Sequence, residues 1–320
     1  MSISGFLIID KPAGVTSHDV VAAVRAATGI KKVGHTGTLD PFATGVLPLA
    51  LGRSTRLIQY LDESIKVYDA RIELGTATDT GDLTGEVVRS APPPEADEAE
   101  VARILEGFLG DRMQEPPAYS AVKVAGKPMY KYAREGEVVR APARKIHLHA
   151  LELLSYDREH LRVRITCSRG TYARVLADEI AAALGSAGHL GGLCRDRSGP
   201  FLIEDAVSME RLASVVSAEE GHPWRAVLMA KRGEPRIQWR PRDEVRADIA
   251  PWLWSDLRSL SHLPLADLAA VDVQRVRNGG PPPPPPRGVA MGGRYLVVCG
   301  DELVAIAEHS TQGARLLRVL

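Results

Sequence analysis

Thiols are scarce in this chain: 320 residues include only Cys167, Cys194 and Cys299. Three is an odd number, and none has the spacing of a metal knuckle. A disulfide framework is therefore not expected, and a reducing cytoplasm fits. Histidine does not replace the missing ligands. His18, His35, His160 and His189 have no coordinating spacing with cysteines or carboxylates, so no catalytic metal is expected. No apolar run is long enough to span a bilayer, and Met1-Ser2-Ile3-Ser4-Gly5 has neither a basic nor an apolar leader segment, so no membrane association is expected. There is no excess of either charge, since 40 basic residues meet 40 acidic ones. Taken alone, that balance argues against a nucleic-acid partner. No Gly-Lys-Ser/Thr closes a phosphate loop, and no second carboxylate stands out for glycosyl transfer.

The distribution of charge softens the objection to nucleic acid. Lys123, Lys127, Lys131, Arg134, Arg140, Arg144 and Lys145 crowd one stretch, opposed only by Glu135 and Glu137. Glu95, Asp97, Glu98 and Glu100 crowd another. Either the two runs are solvated helix faces, or a basic groove faces away from an acidic back. The chain is 45% hydrophobic and 25% charged, the balance of a globular protein, and its length allows one large domain plus a small one.

Local patterns predict an α+β fold with a mainly antiparallel mixed sheet flanked by helices. Residues 5–10 read as a buried strand, and Lys11-Pro12-Ala13-Gly14 as a turn. Thr16 or Ser17 caps a helix running to about Ala27, with Gly29 as its stop. Residues 30–45 read as a long polar loop. Strands follow at residues 46–51 and 67–74, with a helix near residues 54–61 between them. A helix is predicted near residues 96–109. Residues 145–156 and 160–168 alternate as a hairpin, with Leu161, Val163, Ile165 and Cys167 on one face. A helix spans about residues 171–184. Residues 1–215 are thus expected to form a catalytic domain and 216–264 a connector. Residues 265–320 form a small β-barrel-like module, interrupted by six prolines at 281–286 that cannot join a ladder and read as an exposed polyproline II spacer.

Three stretches could carry chemistry. Residues 34–45, Gly-His-Thr-Gly-Thr-Leu-Asp-Pro-Phe-Ala-Thr-Gly, let backbone approach a ligand and present Asp40 rigidly before a proline, as a nucleophile or base requires. A plain Asp-Pro turn explains the same pattern. Residues 167–174 join a strand to a helix and place Arg174 near a positive dipole end, where it wants an anionic partner; a surface arginine is the alternative. Cys167 reads as core. Residues 114–123 combine a Pro-Pro turn, Tyr119 and the start of the basic run. Tyr130 and Tyr132 among Lys127, Lys131 and Arg134 suit stacked bases and phosphates, or else a buried tyrosine face.

In these stretches the chain resembles the bacterial tRNA pseudouridine-55 synthases, the TruB family. The matching pieces are Asp10-Lys11-Pro12-Ala13-Gly14-Val15-Thr16-Ser17, residues 34–45, Thr78-Asp79-Thr80-Gly81-Asp82, residues 116–123 and residues 168–174, in the family's order. Val276-Arg277-Asn278-Gly279 and residues 303–307 resemble the family's C-terminal PUA-type RNA-binding domain. The connector and the proline run depart from the usual pattern. The resemblance implies that Asp40 is the essential aspartate. It implies that Tyr68 stacks on a flipped base, that Arg174 pairs with the carboxylate, and that Tyr172 and Leu193 shape the pocket. His35 matches a histidine that helps displace the base's neighbours. Asp82 and Arg56 match positions that contact RNA or shape the site, the latter often lysine in the family. The catalytic domain is expected to carry an RNA-binding insertion near residues 115–145, whose basic stretch 119–145 falls where the family has a mobile segment closing over the T loop. The implied partner is the T arm of tRNA, met by a monomer. The isomerisation itself involves no redox change and no group donor, so no cofactor is expected. The competing reading is an RNA-binding or tRNA-folding protein without catalysis.

Overall fold

The computed structural model describes residues 3–217, 224–225 and 238–320. Strand β1 (Gly5–Lys11) is apolar from Phe6 to Ile9 because both of its faces are covered there. Leu7 and Ile9 pack under helix α1 (Ser17–Thr28), while Phe6 and Ile8 face Tyr60, Phe201 and the C-terminal sheet. Helix α1 begins at a reciprocal capping box between Thr16 and Asp19 and ends at Gly29 with φ 66°, where the Gly29 N–H donates to Arg25 O. The expected polar loop contains a short strand, β2 (Val33–His35), because the free edge of β3 (Thr44–Leu51) offers it a ladder.

The helix expected near residues 54–61 is instead two 3-10 turns, Gly52–Arg56 and Ile58–Tyr60. Gly52 is left-handed at φ 62°, and Leu57 N–H donates to Ser54 O, an i to i−3 bond that tightens the segment. Ser54 is fully buried there against Asp256 Oδ1 at 2.5 Å, a contact from far along the chain that no local pattern shows.

After β4 (Lys66–Leu74), a small hairpin of β5 (Thr76–Thr78) and β6 (Val87–Ser90) leads to α2 (Glu98–Glu106), capped by Asp97, and then to β7 (Gly110–Gln114). The basic stretch forms a second small hairpin, β8 (Lys123–Val124) with β9 (Lys127–Pro128), and a six-residue helix α3 (Met129–Arg134). Lys127 lies 4.2 Å from the Tyr132 ring centre and Arg134 5.4 Å from that of Tyr130, so both rings already carry a cation from this chain.

Strand β10 (Arg144–Tyr156) pairs antiparallel with β11 (His160–Cys167), and Leu161, Val163, Ile165 and Cys167 are all buried against α4 (Ala173–Ala183) and α2. The chain returns through β12 (Gly188–Ser198), β13 (Phe201–Leu202), β14 (Val207–Ser208) and α5 (Met209–Val216). The main sheet runs β14-β1-β3-β12-β4-β11-β10-β7, with β13 on β12 and β2 on β3. Most pairings are antiparallel, and β12 is parallel to β3. That crossover sets residues 193–195 beside the start of β3.

Part of the expected connector lies outside the described residues. The helix Arg242–Ile249 within it is no mere spacer, since Val245 and Ile249 are fully buried in the core beneath α1. The tail is a four-stranded sheet of β15 (Leu265–Asp267), β16 (Arg294–Cys299), β17 (Glu302–Ser310) and β18 (Gly313–Val319). Leu296, Val298, Leu303 and Ile306 close the core begun by Phe6 and Ile8. The prolines at 281–286 join no ladder, but they are not free of the sheet. Pro281 and Pro284 are exposed and the four others half-buried, the three-residue period of polyproline II. Tyr295 Oη donates to Pro283 O at 2.7 Å, and Arg275 Nη1 to Pro281 O at 2.8 Å.

Candidate active site

Local hydrogen bonds fix the backbone on both sides of Asp40. Ser17, 2% exposed on the first turn of α1, accepts from Leu39 N at 2.9 Å and donates to Leu39 O at 3.1 Å. Ala43 N–H donates to Asp40 O, and Gly14 N–H to Pro41 O. Lys11 is completely buried, and its ammonium donates to Pro12 O at 2.9 Å, Val15 O at 2.8 Å and Pro41 O at 3.4 Å. Burial pulls its pKa down to about 8. One side chain thus ties the Lys-Pro-Ala-Gly turn to the Asp-Pro turn.

Arg174 approaches from the second position of α4, with 6% of its side chain exposed. Its Nε lies 2.9 Å from Asp40 Oδ2 and 3.9 Å from Asp82 Oδ2. Nη1 donates to Thr80 O at 2.9 Å and Nη2 to Tyr119 O at 2.8 Å. The unfavourable helix-end position is thereby offset by two carboxylates and two carbonyls. Asp82 is itself held by Thr80 Oγ1 at 2.9 Å and by Thr84 N and Oγ1 at 3.0 and 2.5 Å. Burial lifts the Asp40 carboxyl above the usual carboxylate range. Arg174 opposes that shift and the nearby Asp82 adds to it.

Asp40, Tyr68, Tyr172, Arg174 and Leu193 line one cavity of about 560 Å³. Asp82 stands behind Arg174. His35 ends β2 next to the lining residue Thr36; it is half-buried, its Nδ1 has no hydrogen-bond partner among the described residues, and burial holds its pKa below the usual imidazole value, so the ring is neutral at pH 7. Arg56 is not brought to the cavity: it is exposed on the turn Gly52–Arg56. Six cationic side chains line the cavity (Lys66, Arg144, Lys145, Arg169, Arg174 and Arg195) against two carboxylates, Asp40 and Glu63. A neutral chain thus presents a strongly positive hollow. Among the described residues no group of three or more His, Cys, Asp or Glu is arranged to hold a metal ion, and no helix is long and apolar enough to cross a membrane.

Sequence reasoning missed three members of this site. Arg195, 1% exposed, sends Nε to Val46 O at 2.8 Å, Nη2 to Gly37 O at 3.1 Å and Nη1 to Thr38 O at 3.4 Å, so it also braces the loop that carries Asp40. Lys66, 6% exposed, donates to Ser198 Oγ at 2.8 Å. Gln114 bonds both backbone groups of Tyr172. No local signal marks Lys66 or Arg195, because β4 and β12 each carry several other charged residues.

The model of the TruB family pseudouridylate synthase (N terminal domain) matches residues 25–173. A tRNA pseudouridine synthase B of Geobacter sulfurreducens is 39% identical over 99% of this chain and 99% of its own. One of Bacillus licheniformis is 45% identical over 67% of this chain and 71% of its own. Among solved structures, a chain in the crystal structure of a Cbf5-Nop10-Gar1 complex aligns with a TM-score of 0.66 and 25% identity, covering 99% of this chain and 84% of that one. With a relative that similar over its whole length, the chain belongs to the TruB family of pseudouridylate synthases.

Proposed function

We propose that this enzyme isomerises uridine 55 in the T loop of tRNA to pseudouridine, with the base turned out of the RNA stack into the cavity against Asp40. The observation that carries the reading is a half-buried carboxylate, gripped by a buried guanidinium at 2.9 Å, inside a cationic hollow with a tyrosine on its wall. The reaction breaks N1–C1′ and joins C5 to C1′, so no atom is gained or lost and no donor is needed. Turning a base out costs a few kcal/mol. Stacking on Tyr68 returns about 1–3 kcal/mol, and the positive rim attracts phosphate without regard to sequence. Asp40 acts as the ionised carboxylate, oriented by Arg174. Tyr172 and Leu193 shape the pocket, and His35 and Asp82 support it from the loops on either side. Residues 1–215 serve as the catalytic unit, residues 115–145 as the part that closes on the T loop, and residues 265–320 as a second RNA contact.

Binding alone would need neither Asp40 nor its clamp. The test is tritium release from a T-arm minihelix carrying C5-tritiated uridine. The wild-type protein should release tritium, and Asp40→Asn should bind the RNA with nearly unchanged affinity yet release none. Clean binding by the wild type without release would favour a purely RNA-binding role.

A further inference from the structure

At the end of the cavity lined by Gly37, Glu63 and Tyr68, two buried cations lie together without a full set of counter-charges. Arg195 is satisfied by three backbone carbonyls and borders the Tyr68 hydroxyl; no carboxylate pairs with it among the described residues. Lys66 lies nearby: a Cβ on Gly37 would stand 3.3 Å from Lys66 Nζ and 3.6 Å from Arg195 Nη1, so the two cationic groups meet beneath one glycine. An ammonium has three N–H donors. Ser198 Oγ takes one at 2.8 Å, Glu63 Oε1 a second at 3.4 Å, and the third has no acceptor among the described residues. Burying like charges side by side is costly unless an anion arrives to compensate. The wall of a reaction cavity is where such an arrangement gains a use.

We propose that Lys66, backed by Arg195, stabilises the negative charge that develops on the uracil ring during turnover, by contact with a carbonyl oxygen of the turned-out base. This rests on the pseudouridylation reading above, and it holds for each chemical route open to Asp40. If the carboxylate attacks C1′, the N1–C1′ pair leaves on the base, a C1′–O bond forms, and the base is a uracil anion delocalised onto its carbonyl oxygens. If Asp40 instead removes a ribose proton as N1–C1′ breaks, the base leaves with the same electron pair. If Asp40 adds to C6, the ring electrons move to the C4 oxygen as an enolate. In the first route C5–C1′ forms as the C1′–O bond to Asp40 breaks; in the second Asp40 returns the ribose proton as C5–C1′ forms; in the third N1–C1′ breaks, C5–C1′ forms and the C6–O bond to Asp40 is eliminated. In all three C5 then loses its proton and N1 gains one, which restores a neutral base and a free carboxylate. An extra electron pair sits on the ring in every case, and a preorganised cation at its edge is worth more in the transition state than in the ground state.

Lys66 is also placed to lose its proton near neutral pH. Burial and the Arg195 charge pull its pKa down to about 8, opposed by Glu63; the Cys167 thiol, on the adjacent strand, is the other titratable group facing it. The protonated form is the useful one, so the rate should fall as pH rises through about 8.

The test is single-turnover pseudouridine formation on the minihelix at saturating enzyme, with RNA affinity measured separately. Lys66→Met should lower the rate constant 30-fold or more at pH 7 while Kd changes less than threefold, and the alkaline limb near pH 8 should vanish from its profile. Should Lys66→Met fail to fold, Lys66→Gln, which keeps a donor for Ser198, takes its place. A Lys66 variant that matches the wild type in rate and pH profile overturns the proposal. So does one that loses affinity in step with rate and shows a shallower salt dependence, because that marks a phosphate contact. An inactive wild type would instead count against the pseudouridylation reading.

Discussion

The side-chain amide of Gln114 closes on the backbone of Tyr172 from both directions, Oε1 accepting from its N–H at 2.8 Å and Nε2 donating to its carbonyl at 3.2 Å. Tyr172 is the N-cap of α4, and its own side chain makes no capping bond. Gln114, at the end of β7 and 3% exposed, is therefore the fixture that sets the helix start, two residues before Arg174.

Gln114→Ala strips the Tyr172 N–H of its acceptor, while the Tyr172 carbonyl keeps the Leu176 N–H as a donor, and should cost about 1–3 kcal/mol of stability. Because the same bonds aim Arg174, the turnover rate should drop at least tenfold while RNA affinity stays within a few-fold. Urea unfolding and single-turnover assays of the same preparation check both parts. A stability loss with an unchanged rate would show that α4 finds its place without the clamp.

Gly45 is a tight point of the scaffold. It starts the β3 ladder beside Arg195 with φ 98°, and a Cβ there would overlap the Arg195 carbonyl oxygen and stand 2.7 Å from its nitrogen. Both the left-handed backbone and the close approach exclude a side chain. Gly45→Ala should destabilise the fold by about 2–4 kcal/mol and displace Arg195, so that activity falls even at temperatures where the variant stays folded. Thermal melts paired with activity at 15 °C separate the two effects.

Cys167 offers a check on the core. Its thiol is fully buried under α4, and burial pushes its pKa up to about 11. Native protein at pH 7.5 should leave this thiol unmodified by iodoacetamide over hours, and denaturation should expose it at once. Peptide mapping by mass spectrometry reads the outcome, and rapid native modification would mean that α4 opens readily.

Much of this arrangement was legible where the physics is local. Thr16 and Gly29 bound α1 through cap chemistry, and the alternation through Leu161, Val163, Ile165 and Cys167 gave the hairpin and its buried face. The meeting of Asp40 and Arg174 came from resemblance, and the arginine's awkward place at a helix start gave it independent physical support. What failed was non-local. The 3-10 turns at residues 52–60 depend on Asp256, some two hundred residues away. Arg195 reads as a surface residue until the parallel pairing of β12 with β3 buries it against Val46, Gly37 and Thr38. Arg56 is exposed and lies outside the cavity, a position that leaves it the RNA-contact half of its expected role.

Arg174 sets the acid side of the pH profile. Burial and Asp82 raise the Asp40 pKa, and Arg174 is the largest influence holding it down. Since the ionised carboxylate acts, the acid limb should lie above the ordinary aspartate value of 3.8, and replacing Arg174 by Gln should move it higher still. Lys in its place keeps a charge but loses the planar fork that also binds Thr80 and Tyr119, so Arg174→Lys should move the limb less while still losing most of the rate. Rate–pH profiles of the three proteins, taken where each remains folded, give the comparison; coincident acid limbs would remove Arg174 from this role.

The same shift has a consequence for stability. A carboxyl whose folded pKa is raised binds its proton more tightly in the native state than in the unfolded chain. The stability it contributes is complete below pH 3.8 and is lost as pH rises through the folded value. At pH 7 the ionised Asp40 is therefore a net burden on the fold, kept for chemistry. Asp40→Asn mimics the protonated form, so the variant should melt no lower than the wild type at pH 7, and the gap should close as pH falls below 3.8. Calorimetric melts of both proteins across that range decide it. A variant markedly less stable at pH 7 would mean that the bond to Arg174 outweighs the burial of the charge, and that Asp40 is held in its ionised state by the fold itself.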